Sequence, residues 1–415
     1  MTAIDRSWKW VPSLFFTEGF PYIIINVVSV IMYKRLDVSN AEIGLYTSWL
    51  YLPWVLKPLW SPLVEVNGAK RNWFLVMQLL GGFSLMGVGL SLHLSAFLTV
   101  SLIFLWIAAI WSATHDIAAD GYYMIVLTEK AQSFFIGIRS TFYRLGVVAG
   151  QGLIVILAGI WETSTGNNVI AWRWTFFVCA ATMLMLAVYH FYSTPKVVET
   201  NSIKPGWRSV REVFVSFFAK ENIGFALAFI LLYRLGESQL VKMASPFLLD
   251  STAEGGLGLT TTEVGTIYGT IGWIMLSVGG ILGGIVISRD GLGKWMLPMA
   301  FALNIPNVLY VLLSVFQPSA GWVSAAVIIE QFGYGFGFTS FLMYTIYIAD
   351  GPAKTTHYAL ATGFMALGMM VPGMISGYVQ ELLGYTGFFL WVAMAGVPAF
   401  FLIRKLNFPY DYGKK

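Results

Sequence analysis

The stretch Ser39–Tyr46, SNAEIGLY, returns further along the chain as Thr260–Tyr268, TTTEVGTIY. At an offset of 221, Glu42 falls on Glu263 and Gly44 on Gly265. Each copy opens an apolar run with S/T-x-x-E, a capping box that satisfies the exposed amides of a helix start. Further matches keep the same order. Ser61–Arg71, SPLVEVNGAKR, meets Gly284–Lys294, GIVISRDGLGK, at 223; Leu145-Gly146 meets Leu367-Gly368 at 222; Glu18 meets Glu237 at 219. Four ordered matches read as duplication: the second half of the chain repeats the first.

What is repeated belongs in a membrane. Of 415 residues, 57% are hydrophobic and 11% charged, with a mean hydropathy of +0.71. A soluble domain carries about 25% charged residues. Spanning helices need roughly 20 apolar residues each, and twelve such runs are present, at about 10–33, 41–66, 72–93, 97–127, 134–160, 172–192, 222–249, 261–289, 293–315, 319–349, 356–383 and 386–406. Runs of this length predict helices rather than the ten-residue alternating strands of a barrel. The first run is too long for a signal-peptide core and lacks a small-residue cleavage site, so it reads as a span.

Of 25 Lys and Arg, only Lys34, Arg35 and Arg173 fall in connections on one side. Those at the termini and after even-numbered spans, such as Lys70, Arg71, Lys130, Arg208, Arg289, Lys354 and Arg404, mark the cytoplasmic side. The formal charge of +4 therefore belongs to loops and indicates no nucleic-acid partner. One cysteine, Cys179, excludes an internal disulfide. The four histidines, His93, His115, His190 and His357, have no ligand-like spacing, so no metal or other cofactor is expected. Residues 193–221 form the one long polar connection. Trp207, Val210, Phe214 and Phe217 recur there at helical spacing, which predicts an amphipathic helix on the cytoplasmic surface. The expected organisation is a six-helix bundle over 1–192, a cytoplasmic linker over 193–221 and a second bundle over 222–415.

Parallel repeats of six spans are the layout of the major facilitator superfamily, which this chain resembles. The loop after the second span resembles that superfamily's G-x-L-x-D-R-x-G-R-[RK] through Leu63, Gly68 and Lys70, with Glu65 in place of Asp and Ser61 in place of Gly. The fold this implies is an all-α membrane protein of twelve transmembrane helices in two pseudo-symmetric six-helix bundles. Small residues four apart, Gly146/Gly150, Gly279/Gly283, Gly280/Gly284 and Gly373/Gly377, read as close helix packing. GYGFGF (Gly333–Phe338) reads the same way, because no strand precedes it as a nucleotide loop would require.

Within this apolar background sit charges that need a reason, since an ionisable group at mid-bilayer costs about 2.5–3.5 kcal/mol on the insertion scale. They are Glu18, Lys57, Asp116, Asp120, Arg139, Arg144, Arg234, Glu237 and Glu330, while Lys242 stands nearer a span end, where a lysine can snorkel. ATHDIAADGYY (Ala113–Tyr123) places Asp116 and Asp120 one helical turn apart, with Tyr123 nearby on the same face. Counting outward from the turn near Lys130 predicts two rungs between the fourth and fifth spans, Asp120–Arg139 and Asp116–Arg144. Two readings stand. The pairs are structural or lock a gate, or one carboxylate binds and releases a proton as its arginine moves. The second is favoured for Asp116 and the first for Asp120 with Arg139. His115 points about 100° from Asp116 and reads as a hydrogen-bonded core residue before a shuttle. Arg234 and Glu237, three apart, either neutralise each other or serve solute and proton.

Three passages resemble the AmpG-type muropeptide permease family, itself similar to the acetyl-CoA transporters. Lys57, Leu59-Trp60-Ser61-Pro62-Leu63 and Glu65 fit its K-x-LWSPL-x-D. Thr114, Asp116, Ile117, Asp120, Gly121 and Tyr122 fit [ST]-Q-D-I-x-x-D-[GA]-[WY], with His115 in the Gln position. Tyr143–Gly146 fits Y-R-L-G, and Gly19 with Pro21 fits G-x-P, beside an added acid, Glu18. All lie in the first 150 residues.

The resemblance implies proton-driven import of an anhydro-muropeptide or related amino sugar into a bacterial cytoplasm across the inner membrane. On that reading Asp116, Glu18 and Glu237 handle protons, and Lys57, Arg144, Arg234 and Tyr123 meet an anionic solute. Asp120, Arg139, Glu65 and Lys70 hold the cytoplasmic gate. Rival readings are a carrier of a sugar acid or acyl-CoA-like anion, and a non-transporting membrane sensor, which would need an output domain. A membrane-embedded transferase would need a nucleophile or acid–base pair beside a donor pocket, which the short loops do not offer, so no enzyme activity is expected.

Overall fold

The computed structural model describes residues 7–66, 69–197, 214–350 and 354–414. The side chains of Pro62, Glu65, Val66, Glu129, Lys130, Ser133, Ile136 and residues 354–356 lie outside the described set. Most of the expected surface helix, including Trp207 and Val210, also lies outside it; residues 214–218 are helical, and Phe217 is buried.

All regular elements among the described residues are helices. α1 spans Val11–Arg35 and includes a π-helical turn at Ile24–Val28. α2 comes in two pieces, Asn40–Trp49 and Leu52–Val66. α3 is Lys70–Ser91 and α4 is Phe97–Val126. α5 runs through Glu129–Val148, a π turn at Ala149–Ile154 and Val155–Thr165; α6 is Asn168–Ser193. α7 is Ile223–Leu232 followed by Leu235–Leu249, and α8 is Thr261–Asp290. α9 is Leu292–Asn304 with Asn307–Phe316, and α10 is Ala320–Ala349. Lys354–Ala395 divides into α11 and α12 at Gly384, whose φ of +65° is a conformation glycine adopts without a Cβ penalty; Val397–Ile403 completes α12.

Nine stretches of the described residues are long and apolar enough to cross a membrane. One of them, His357–Ile403, holds both α11 and α12. The other two spans are α2, interrupted at mid-length, and α10, diluted by Glu330, Gln331 and a run of glycines and tyrosines. That makes twelve. Large apolar side chains such as Leu153, Met185, Phe316 and Leu382 remain exposed along these helices, as lipid-facing residues do.

Both expected helix starts are capped. Thr260 forms the full box with Glu263, while Ser39 accepts from the Glu42 amide and gives its hydroxyl to the Glu42 carboxylate. The break in α2 has a plain cause. Pro53 has no N–H for the carbonyl of Trp49, and the chain tightens there through Leu50 N–H to Thr47 O and Tyr51 N–H to Ser48 O.

The helices form two compact units. The first comprises residues up to Leu36 with Leu56–Lys204; the second comprises Asp37–Val55 with the residues from Pro205 onward. In the first, α1 packs on α5, and α3 packs on α4 and α6. In the second, α7 packs on α11, α10 packs on α8 and α9, and the first piece of α2 packs on α11. The α1–α5 pair thus has its counterpart in α7–α11 and the α3–α4 pair in α9–α10, six helices further on. The duplication read from the sequence is therefore repeated in the packing.

Glycines set the closest crossings. A Cβ at Gly146 would stand 2.5 Å from Phe16 O, and one at Gly377 would overlap Asn40 O. GYGFGF is close-packed helix: a Cβ at Gly335 would overlap Leu276 O. Gly284, by contrast, has open space beside it.

Candidate functional site

All the unexpected charges but Arg144 gather into one array in the first unit and one in the second. In the first, Lys57 Nζ lies 3.4 Å from Asp116 Oδ2, both partly buried. Arg139 Nη2 lies 2.5 Å from Asp120 Oδ1, with its guanidinium over the rings of Phe15 at 4.2 Å and Tyr123 at 5.2 Å. Glu18 is buried next to these four charges, and its Oε1 has no hydrogen-bond partner among the described residues. It is brought there by Gly19, whose missing side chain lets α1 lie against the Tyr143 carbonyl of α5.

The rung Asp120–Arg139 is formed as expected, but Asp116–Arg144 is not. Equal counts from a turn fix equal depth and say nothing of direction around the helix. Asp116 and Asp120 are about 40° apart at about 100° per residue, whereas Arg139 and Arg144 are about 140° apart. With Arg139 facing α4, Arg144 turns away, and it makes no ion pair among the described residues. Asp116 meets Lys57 on α2 instead.

Tyr123 gives its hydroxyl to Gln132 O at 2.5 Å and its ring to Arg139. Lys70 is buried at the start of α3. Its ammonium donates to Val64 O at 3.0 Å, and its stem fills the space beside Gly121. The Glu65 side chain lies outside the described residues.

His115 is a hydrogen-bonded core histidine, and its bond belongs to a longer chain. Its Nε2 lies 2.9 Å from Gln78 Nε2; Gln78 Oε1 lies 3.0 Å from His190 Nδ1; and His190 Nε2 lies 2.9 Å from Ser13 Oγ. This buried chain joins α4, α3, α6 and α1. Gln78 and His190 were not singled out from the sequence, although a glutamine and a histidine within apolar spans were the available signal.

In the second unit α7 breaks at Tyr233–Arg234, so Glu237 stands in the first turn of the restarted helix, where the helix dipole favours a carboxylate. Arg234 Nε donates to Glu237 Oε2 at 2.8 Å, and its Nη2 donates to the Tyr334 hydroxyl. The guanidinium lies over the rings of Tyr334 and Phe338. Glu237 Oε1 has no partner among the described residues. Glu330 is also buried, held by Gln331 Nε2 at 3.0 Å and the Tyr310 hydroxyl at 3.3 Å. Lys242 does not snorkel. It is 2% exposed, and its ammonium meets Thr47 Oγ1 at 3.0 Å and the Tyr51 ring at 5.0 Å.

Two arrays of charge within apolar, repeated helices do not suit a soluble core, and comparison with known proteins decides the family. The family model described as Major Facilitator Superfamily matches residues 13–377. The chain belongs to the major facilitator superfamily. It is therefore an integral membrane transporter of twelve helices in two six-helix bundles, a carrier and not an enzyme.

Among relatives, a putative transporter AmpG 4 of Rickettsia conorii is 28% identical over 94% of each chain. An anhydromuropeptide permease of Escherichia coli is 27% identical over 96% of this chain and 79% of its own. The AmpG-type resemblance, seen in motifs only before residue 150, therefore runs the length of the superfamily fold.

Solved structures of the same fold include a D-xylose–proton symporter, with a TM-score of 0.77, 12% identity and 99% of each chain covered. The nucleoside transporter NupG gives a TM-score of 0.71 and 14% identity, covering 98% of this chain and 99% of its own.

Proposed function

We propose that this transporter carries an anhydro-muropeptide, or a related carboxylate-bearing amino sugar, into the cytoplasm together with a proton. The proposal places it in a bacterial inner membrane with both termini cytoplasmic and residues 193–221 as a cytoplasmic linker between halves 1–192 and 222–415. The substrate class comes from the anhydromuropeptide permease relative. The coupling comes from one observation, the Lys57–Asp116 pair at 3.4 Å beside the unpartnered buried Glu18 oxygen.

An ionised Asp116 holds the Lys57 ammonium. A proton arriving on Asp116 releases that ammonium, which is then free for an anionic group of the solute. Proton and solute thus bind together, and alternating access carries both. Arg144, with no ion pair among the described residues, is a second cation for the solute. Glu18 takes the proton onward, and Glu237 is its counterpart in the second half. Asp120 with Arg139, and Lys70 with Glu65, hold the cytoplasmic gate. Moving one charge through 100 mV supplies about 2.3 kcal/mol for uptake.

The test is uptake of labelled anhydro-muropeptide into proteoliposomes with and without an inward proton gradient. Asp116→Asn leaves Lys57 permanently released, so exchange of solute down its own gradient persists while accumulation driven by protons is lost. Normal proton-driven accumulation by Asp116→Asn would sink the coupling assignment.

A further inference from the structure

Lys242 differs from the three ion-paired cations of the spans. Lys57 has Asp116, Arg139 has Asp120, and Arg234 has Glu237. Lys242 is 2% exposed and has no carboxylate among the described residues. The nearest acids along its own helix are taken: Glu237 by Arg234, and Asp250 by the Tyr385 hydroxyl at 2.5 Å and Asn40 Nδ2 at 3.5 Å. A buried charge without a counter-charge is costly, and in a membrane span it marks a functional site.

Its surroundings are built for an anion. The Thr47 hydroxyl gives its proton to Ile43 O at 2.6 Å and so meets the ammonium as an acceptor. An ammonium has three donors, and this contact uses one. Two further hydroxyls belong to the same two helices. Ser245 lies three residues along α7, on the same helix face as Lys242. A side chain at Gly373 would stand 2.5 Å from Ser48 Oγ and 3.4 Å from Lys242 Cγ, so the serine hydroxyl and the lysine stem pack against the same glycine. Ser48 Oγ and Ser245 Oγ are both buried and without a hydrogen-bond partner among the described residues. Gly373 of α11 lets the first piece of α2 and α7 approach, which sets Ser48 beside the Lys242 stem.

We infer that Lys242, with Thr47, Ser48 and Ser245, is an oxyanion site for the carboxylate of the carried solute, the ammonium exchanging the Thr47 oxygen for a carboxylate oxygen and the two serines donating to it. This rests on the reading of the protein as a solute carrier, and it adds to Lys57 an anion site in the second unit.

The test uses the full-length purified protein and two probes, anhydro-N-acetylmuramic acid with its lactyl carboxylate free, and the same compound as its methyl amide. Binding is measured by calorimetry in detergent. The wild type is expected to prefer the free acid. Lys242→Met, a near-isosteric replacement that removes a buried charge and preserves the packing, loses about tenfold or more for the acid and nothing for the amide. Lys242→Arg restores the preference, and Ser245→Ala reduces it. Equal affinity of wild type for acid and amide, or an unchanged preference in Lys242→Met, overturns the inference. Uptake in proteoliposomes separates the two readings. A wild type that binds the acid through Lys242 but does not accumulate it refutes the import reading alone. Normal import with the preference kept in Lys242→Met refutes the oxyanion site alone.

Discussion

At the residue scale, the array around Asp116 and Asp120 pairs charges that differ in how much water they see. The Asp120–Arg139 pair is partly exposed, so its Coulomb attraction is screened. Its strength comes from short geometry and from the aromatic faces of Phe15 and Tyr123. Arg139→Met is expected to cost about 1 kcal/mol, because the partly exposed Asp120 carboxylate loses its donor but keeps access to solvent. Adding Asp120→Asn should recover part of that loss, with a coupling of about 1 kcal/mol. Thermal unfolding of the four proteins in detergent measures this, and strictly additive losses would show that the pair does not act as a unit. The Gln78–His115–His190 chain is different, because all three residues are buried. Replacing Gln78 by Leu deprives two imidazoles of their partner at once. The expected loss exceeds that of Gln78→Glu, which keeps one acceptor for His190, in the same unfolding measurement.

At the element scale, the helix crossings depend on the absence of side chains at particular positions. Gly146→Val would drive atoms into the Phe16 carbonyl and the Phe20 amide, separating α1 from α5 and displacing Glu18 from the charges it faces. The expected destabilisation is about 1–3 kcal/mol. Gly284→Val is the matched control, since nothing lies within 4 Å of the Cβ it would add. Equal unfolding temperatures for the two variants would contradict the assigned packing. Both glycines belong to small-residue pairs spaced by four, so the sequence pattern alone does not separate the buried crossing from the open face. The broken helices follow the same logic. Pro53 frees a carbonyl of α2, and the restart of α7 at Leu235 puts Glu237 at a helix start, which is how two ordinary-looking spans acquire polar interiors.

At the scale of the whole molecule, the chain divides in a way its order does not announce. Residues Asp37–Val55 join the unit that contains the second half of the sequence. Asn40 Nδ2 donates there to Gln380 Oε1 at 2.7 Å and reaches the Tyr385 hydroxyl at 3.0 Å, while the Ala41 amide donates to Glu381 Oε1 at 2.8 Å. Asn40→Ala removes the hub of this cluster. Hydrogen–deuterium exchange of residues 39–50 should then rise by about tenfold or more, the loss of one to two buried hydrogen bonds, with α3 unchanged. Unchanged exchange across 39–50 would mean that this piece of α2 is held by apolar packing alone.

Twelve spans, helical class, duplication and the capped starts of α2 and α8 could all be read from residue order, because burial in lipid and amide capping are satisfied within a helix or by near neighbours. The Asp120–Arg139 rung was legible for a related reason: a short turn sets the depth of both groups. Partner choice was not. Whether Asp116 meets Arg144 or Lys57, whether Lys242 reaches lipid or is sealed beside Thr47, and whether His115 is alone or part of a chain all depend on rotation around each helix axis. Neighbouring helices, proline breaks and glycine crossings set that rotation only once the bundle is packed.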